Sequence, residues 1–593
     1  DPPLVSAYAR QPDPAYPEGV VDPAAGLGVD LTGLREGLSA YGRGDVAAGD
    51  AAAAQAKDPL VATALEWALL RQKPIEAGYR RIARFIDGHT GWPAEAWLRG
   101  HAERALYAAH ASADVVIGFF RAHQPETPAG RLALAVALLE KGDAARANDL
   151  ARRIWRDDDL NVSQESILRK SFGPVLTAAD SKRRADRLTY DGETSAALRA
   201  ASLAGPDVVA LEQIRAAAER GVATDKTFAD APPTVKNDPG LLFARVKYLV
   251  RAKKFAEAGA LMQTAPRDPA AVIDGDAWWE VRRELARKLL DAGDAASAYR
   301  ICAGHAAEKN EHQIEAEFHA GWIALRYLES PEVAVAHFDK AIALARTPIS
   351  RARAYYWRGR AAEAAKADAS AFYESAGKES ATFYGQLARL RLGLKDQPIR
   401  LAPVPAEGMA RAESIRAIEL LYAAGAKDLA VPLVYAAAKT IEAPEQIAAL
   451  GAVVVKDRDA KVALTFGKLA AQNGHPFDDM AYPLYGVPNF APFENSASLP
   501  VVYSIARQES AFDPKAVSHA GAMGLMQMIA STARSTARRV GVGFEASRMT
   551  RDPVFNAQLG AAHLGDLLKE QRNSLILTFA AYNAGGKRVK EWI

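Results

Sequence analysis

Glu509 is the residue best placed in this sequence to do acid–base chemistry. It lies in LPVVYSIARQESAFDPKAVSHAGAMGLMQM, residues 499–528. The first half of that stretch has helical spacing. Val501, Val502, Ile505 and Phe512 fall at intervals of three, four and seven, which puts them on one face. Glu509 comes four residues after Ile505, so it projects from the same apolar stripe. A carboxyl there is partly desolvated, which raises its pKa. Asp513-Pro514 is expected to stop the helix just beyond it, because the residue before a proline is pushed out of the α region. The negative end of the helix then also disfavours an anion. Both effects favour the protonated form that a general acid needs. A lone glutamate is ordinarily a solvated margin residue; the residues C-terminal to Glu509 set it apart. Gly521 to Gln527 reads GAMGLMQ, with paired glycines that let backbone approach a ligand and an amide that both donates and accepts. Some fifty residues on, Ala581-Tyr582-Asn583-Ala584-Gly585 again joins a polar aromatic, an amide and a glycine.

Taken singly these motifs are weak; their order is specific. Glu509, Ser510, Phe512 and Pro514 come first. Ser518, Gly521, Ala522 and Gly524 to Gln527 come next, then Asn556, Leu559 and Gly560, then Ala581 to Gly585. This set resembles the catalytic domain of soluble lytic murein transglycosylases, relatives of goose-type lysozyme. The resemblance implies cleavage of the β-1,4 bond between N-acetylmuramic acid and N-acetylglucosamine, leaving a 1,6-anhydromuramoyl end. Glu509 is the implied single acid and base. Ser518 and Gln527 are implied to bind sugar polar groups, Met526 to shape the wall beside Glu509, Tyr582 to approach the reacting centre, and Asn583 to brace loop or ligand. No metal or organic cofactor is implied. The implied partner is the peptidoglycan glycan strand, the implied compartment the periplasm, and the helical repeats are left as a surface for cell-wall enzyme partners. Ordinary glycosidases need two carboxylates. Asp513 is the nearest second candidate, although its place before Pro514 reads as a turn or cap, and Asp552 reads as a helix cap. If either faced Glu509 across a water, a hydrolytic muramidase would be the alternative. A non-catalytic peptidoglycan-binding scaffold is the other. Members of the resembled family continue with further helices past the position of Ile593, so substrate contacts from that side stay unassigned.

These residues need a scaffold. At 593 residues the chain is too long for one core, and its length suggests roughly four domain-sized units. Abundant Ala, Leu, Arg and Glu favour helix, so an all-α protein is expected. A formal charge of +3 is not the concentrated charge of a nucleic-acid binder. The one cysteine, Cys302, admits no intramolecular disulfide and reads as a buried structural thiol. No Cys/His cluster has zinc spacing, and His563 reads as a packing or surface histidine. No apolar run is long enough to span a membrane. The sequence opens Asp1-Pro2-Pro3 with no Met and no signal-like core, as expected if a leader was removed or the sequence trimmed.

Residues 1–30, rich in Pro, Gly, Asp and Ala, read as an extended arm. From about 31 to 390 helix succeeds helix. Leu38 to Asp45, Ala137 to Asp143 and Lys288 to Asp294 share one pattern: an apolar helix end, a glycine, and an aspartate able to cap the next helix. Leu249 to Ala258 repeats it with Lys253-Lys254-Phe255 in the turn. Such units predict a superhelical α-solenoid, most repeat-like over 316–375, where Ala334, Phe338 and Ala341 have tetratricopeptide spacing. Phe383-Tyr384 before Gly385-Gln386 resembles the end of that family's superhelical domain. Asp396 to Pro405, with three prolines, predicts an extended linker. Helices over Ser414–Ala424 and Leu429–Thr440 predict a small linker domain. In the last domain a helix is expected over Ile529–Val540, starting at Ser531 or Thr532. Another is expected after Asp552-Pro553, and a third is expected to end at Ala581, before a Tyr-Asn-Ala-Gly turn. Lys587, Arg588 and Lys590 read as a solvated basic face. The expected division is a helical-repeat domain over 1–393, a linker domain over 394–484, and a lysozyme-like domain over 485–593.

Overall fold

The computed structural model describes residues 27–395, 399–406 and 408–593. Most of the expected N-terminal arm, and the linker at 396–398, fall outside them. Among the described residues the chain is all-α, with thirty-five α-helices and one two-stranded antiparallel ribbon that pairs Ala522–Met523 with Met528–Ile529. No helix among them is long and apolar enough to cross a membrane.

The glycine–aspartate turns form as their chemistry dictates. Gly44, Gly142 and Gly293 take φ of 85°, 83° and 82°, a left-handed conformation that costs other residues more. The aspartate after each then caps the next helix. Asp45 accepts from Ala48 N at 3.0 Å, Asp143 from Arg146 N at 3.2 Å, and Asp294 from Ser297 N at 3.0 Å. At the fourth turn Lys253 itself takes φ 60°, and Lys254 offers no side-chain cap.

The described residues form two compact units: 73–90 with 95–395, and 27–72 with 91–94, 399–406 and 408–593. In the first, consecutive helices stack on their neighbours. Ala334, Phe338 and Ala341 are buried, and a Cβ on Gly321 would stand 2.9 Å from the Phe338 ring, so the small residue sets how closely the two helices approach. Cys302 is buried in the cluster around Trp278 and Trp279, and burial pushes its thiol up to about 12, an inert packing residue.

Glu317, 7% exposed, lies between two histidines of that unit. Its Oε2 is 2.5 Å from His337 Nδ1, its Oε1 3.4 Å from His305 Nε2, and Lys340 Nζ stands 3.5 Å away. Burial pushes the carboxyl up, but the two histidine bonds and the nearby cations outweigh it and hold it at about 2. A depressed pKa adds stability above the unfolded value, and that stability is lost as pH falls toward the folded one. The unfolding midpoint should therefore drop between about pH 4.5 and pH 2. Glu317→Gln should cost about 1–3 kcal/mol at neutral pH and flatten that acid limb in a thermal melt series.

The second unit joins the first helices of the chain to its C-terminal half. Trp67 Nε1 donates to Leu429 O at 3.3 Å, and Arg35 to Ala423 O at 3.1 Å. Residues 32–72, which the helical pattern assigns to the repeat domain, thus share a compact unit with the helices Glu413–Ala423 and Lys427–Thr440. Sequence period cannot reveal this contact, because a solenoid helix has the same apolar stripe whichever helix covers it. Farther on, Arg400 donates to both carboxylate oxygens of Asp478 at 2.8 and 2.9 Å, tying the end of the linker to the helices before the site.

Candidate active site

The helix bearing Glu509 runs Leu499–Glu509, so the carboxyl stands on its last residue. The helix stops four residues before the expected Asp513-Pro514 signal. Ser510 N and Phe512 N both donate to Ala506 O, each at 3.2 Å, closing the helix with a turn in which Ala511 and Phe512 have φ of 52° and 66°. Phe512 therefore lies off the helical stripe that its spacing suggested, although it is buried at 5% exposure, edge-on to Tyr503. A phenylalanine in left-handed backbone is strained, and such strain persists only where packing holds it. Here it sits three residues from the acid. Val502 and Ile505 form the buried stripe, and burial pushes the half-buried Glu509 carboxyl up.

The loop after the helix is fastened from both sides. The Ser510 hydroxyl reaches Leu525 O at 2.7 Å. Asn556, fully buried, accepts from Met526 N at 2.8 Å and donates to Met523 O and Met549 O at 3.1 and 2.9 Å. Gly524, at φ 73°, leaves room for this amide: a Cβ there would lie 2.0 Å from Met549 O and 2.4 Å from Asn556 Nδ2. Asn556 and Ser510 belong to the ordered motif but had no assigned role; nothing in a single sequence separates a loop-bracing amide from a surface one. Of the two roles expected of Asn583, loop or ligand, the loop is braced by Asn556, which leaves the ligand. Asn583 is exposed and makes no side-chain hydrogen bond among the described residues.

The other residues singled out by the motif divide by what their polar atoms already do. Ser518 is exposed, and its hydroxyl accepts from Ala522 N at 3.0 Å. Gln527, at φ 47°, donates its amide nitrogen to Ala516 O at 3.0 Å and Gly524 O at 2.9 Å, leaving its side-chain oxygen open. The Met526 side chain is fully buried against Gly560, so it packs the core and does not line an open wall. Its contribution to the site is its carbonyl, which accepts from Tyr582 OH at 2.6 Å.

Tyr582 and Asn583 lie on the last turn of the helix Leu575–Ala584, not in the turn expected there; the break comes at Gly585, φ 87°. The Tyr582 ring packs 5.6 Å from His563, whose pKa burial lowers. Burial, and then the charge of Glu509, drive the Tyr582 phenol upward, so it stays protonated at any working pH. The charge of Glu509 is thus felt at the phenol, as it is only for groups near one another. With its proton committed to Met526 O, the phenol oxygen keeps its lone pairs as acceptors. Tyr582→Phe should cost about 1 kcal/mol, read from the denaturation midpoint, with helical content unchanged.

Neither second carboxylate is free for Glu509. Asp513 pairs with Lys461 at 2.8 Å and accepts from Lys515 N at 2.9 Å. Burial raises its pKa, but these partners outweigh that and hold it low. Asp552 caps its helix through Phe555 N at 3.0 Å and pairs with Arg548 at 2.7 Å. The expected helix over 529–540 runs Ala530–Arg539 and begins without a side-chain cap, so neither Ser531 nor Thr532 starts it.

An all-α chain of stacked helices that ends in a lysozyme-like domain, with one half-buried acid at a helix terminus, is the class that fold and site define. Residues 490–593 match the family model described as Transglycosylase SLT domain, and this segment is such a domain. The soluble lytic murein transglycosylase of Escherichia coli (strain K12) is 36% identical over 115 residues, 19% of this chain and 18% of that protein. A Haemophilus influenzae relative is 46% identical over 90 residues, 15% of each. The matched segment thus spans less than a fifth of these relatives' length. The fold is shared more widely. The lytic transglycosylase Slt from Pseudomonas aeruginosa has a TM-score of 0.68 at 19% identity, over 95% of this chain and 91% of that one.

Proposed function

We propose that this protein is a peptidoglycan lytic transglycosylase with Glu509 as its single acid and base. Glu509 gives its proton to the glycosidic oxygen as the bond from C1 of N-acetylmuramic acid breaks. The resulting carboxylate then takes the proton of the C6 hydroxyl of the same sugar, whose oxygen bonds to C1. The products are a 1,6-anhydromuramoyl end and a free N-acetylglucosamine end, with no water consumed and the acid restored. One carboxyl suffices because the substrate supplies the nucleophile. The observation that carries this reading is the contrast among the three candidate carboxyls: burial raises Glu509, while Asp513 and Asp552 are each occupied by a cation and a backbone amide. The Tyr582 oxygen can accept from the Glu509 proton or the sugar hydroxyl, and Ser518 and the open oxygen of Gln527 are suited to sugar polar groups. The Pseudomonas aeruginosa structure is that of an inactive glutamate-to-glutamine mutant, which supports a glutamate as the critical group. The substrate places the protein in the periplasm. Digestion of purified sacculi and mass analysis of the fragments test the proposal. Anhydro ends, one water lighter than hydrolysed ends, are expected; hydrolysed ends alone would make the protein a muramidase, and undigested sacculi would leave a glycan-binding scaffold.

A further inference from the structure

Far along the chain from the SLT domain, the helices Val162–Phe172, Ala178–Tyr190 and Thr194–Ala204 enclose a solvent-open cavity of about 720 Å³. This is within the size range of small-ligand sites. Its lining includes Glu165, Arg169, Lys170, Ser181, Arg199 and Leu203. The one carboxylate is already neutralised: Glu165 lies 3.4 Å from Arg199 and 3.8 Å from the buried Arg184. Arg169 and Lys170 are exposed and pair with no acid among the described residues, so the cavity keeps an uncompensated positive charge.

A second feature is independent of that charge. Ser181 is 2% exposed, lines the cavity, and accepts from Trp155 Nε1 at 3.3 Å; its own hydroxyl proton has no acceptor among the described residues. A buried donor left unmade is costly, so one facing a cavity marks where a ligand oxygen belongs. Arg184, the buried partner of Glu165, stacks on Trp155 with its Nε buried and unbonded. Burial lowers Arg184 only to about 10, so it remains a cation at neutral pH. Two apolar side chains of the lining are also exposed, Val162 at 74% and Leu203 at 41%.

We infer that this cavity is a binding site for the free C-terminal carboxylate of a short peptide. The carboxylate meets Arg169, Lys170 and the Ser181 hydroxyl, and the apolar body lies along Val162 and Leu203. A bare inorganic anion would use the cations and leave these two apolar side chains idle, which is why a peptide end is the better fit. The inference stands apart from the proposed activity, since it concerns other residues and another ligand group.

Isothermal titration of the full chain with the tripeptide Ala-Ala-Leu, as free acid and as C-terminal amide, tests it. Saturable binding of the acid is expected, weakened about tenfold or more for the amide, since a charge-assisted contact is worth that much. R169A combined with K170A should produce a similar loss, and Ser181→Ala a smaller one. Arg169 and Lys170 are exposed, so the double variant should keep its fold, which circular dichroism checks. Equal affinity for acid and amide, binding untouched by R169A/K170A, no binding at all, or displacement by inorganic phosphate at the peptide's own concentration would each overturn the inference.

Discussion

Glu509→Gln should lower the rate of anhydro-end formation by about a thousandfold or more, near the upper range for loss of a general acid–base group. The same group acts twice in the proposed reaction, so its loss removes both proton donor and proton acceptor. Glutamine keeps the size and the hydrogen-bonding oxygen but has no proton to lend, so binding of glycan fragments should persist. The pH profile carries the second half of the result. Burial raises the Glu509 pKa, so activity should fall on the alkaline side only as pH passes above the ordinary glutamate range. The stability consequence has the opposite sign to that at Glu317. A carboxyl raised by burial favours the folded state while protonated, and that advantage is lost as pH climbs through its unfolded and then its folded pKa. At neutral pH the wild-type protein therefore holds a charge that the fold disfavours. Glu509→Gln should melt no lower than wild type there, and higher if the carboxylate is ionised, the pattern of an active site that trades stability for function. Retained turnover, or a variant that melts well below wild type, would sink the assignment.

How much of the fold and site was legible in the sequence depended on whether the signal was local. Gly-Asp turns were legible because a left-handed glycine and a capping aspartate are decided by adjacent residues, and Asp45, Asp143 and Asp294 all cap as their positions required. The cap of Asp552 on Phe555 N was legible for the same reason. The end of the Glu509 helix was not. Proline at 514 was a good stop signal, yet the helix closed earlier because buried Phe512 and the Ser510 bond to Leu525 O hold Ala511 and Phe512 in left-handed backbone. Tertiary packing overrode a local preference there. The Met526 reading failed in a similar way. A methionine beside a catalytic motif could line a wall or fill a core, and only the approach of Gly560, with a would-be Cβ 2.5 Å from Met526 Cγ, decides for the core. The pairing of residues 32–72 with 413–440 depends on contacts several hundred residues apart, for which no periodicity exists.

Asn556→Ala should strongly destabilise the SLT domain. Asn556 makes three hydrogen bonds, to Met526 N, Met523 O and Met549 O, in a site with no solvent access to replace them. Truncation strands one buried donor and deprives two carbonyls of their partner, and leaves a hole. At about 1–3 kcal/mol for each stranded group, with incomplete additivity, a loss of about 3–5 kcal/mol is expected, enough to unfold a large fraction of a marginal domain at physiological temperature. Asn556→Asp separates the hydrogen bonds from the volume. Aspartate fills the same space and can still accept from Met526 N, but when ionised it sets lone pairs against Met523 O and Met549 O and buries an unpaired charge. Its folded-state pKa must rise, so its melting deficit should be greatest at neutral pH and shrink as acid restores a proton that can be donated. A deficit equal at pH 5 and pH 8 would show that shape, not donor count, holds the loop. The link to chemistry runs through Met526: its amide is fixed by Asn556 and its carbonyl fixes Tyr582, whose phenol feels the charge of Glu509. Folded Asn556→Asp should accordingly lose turnover more than glycan affinity, because the loop carbonyl that orients the phenol shifts while the exposed Ser518 and half-exposed Gln527 remain.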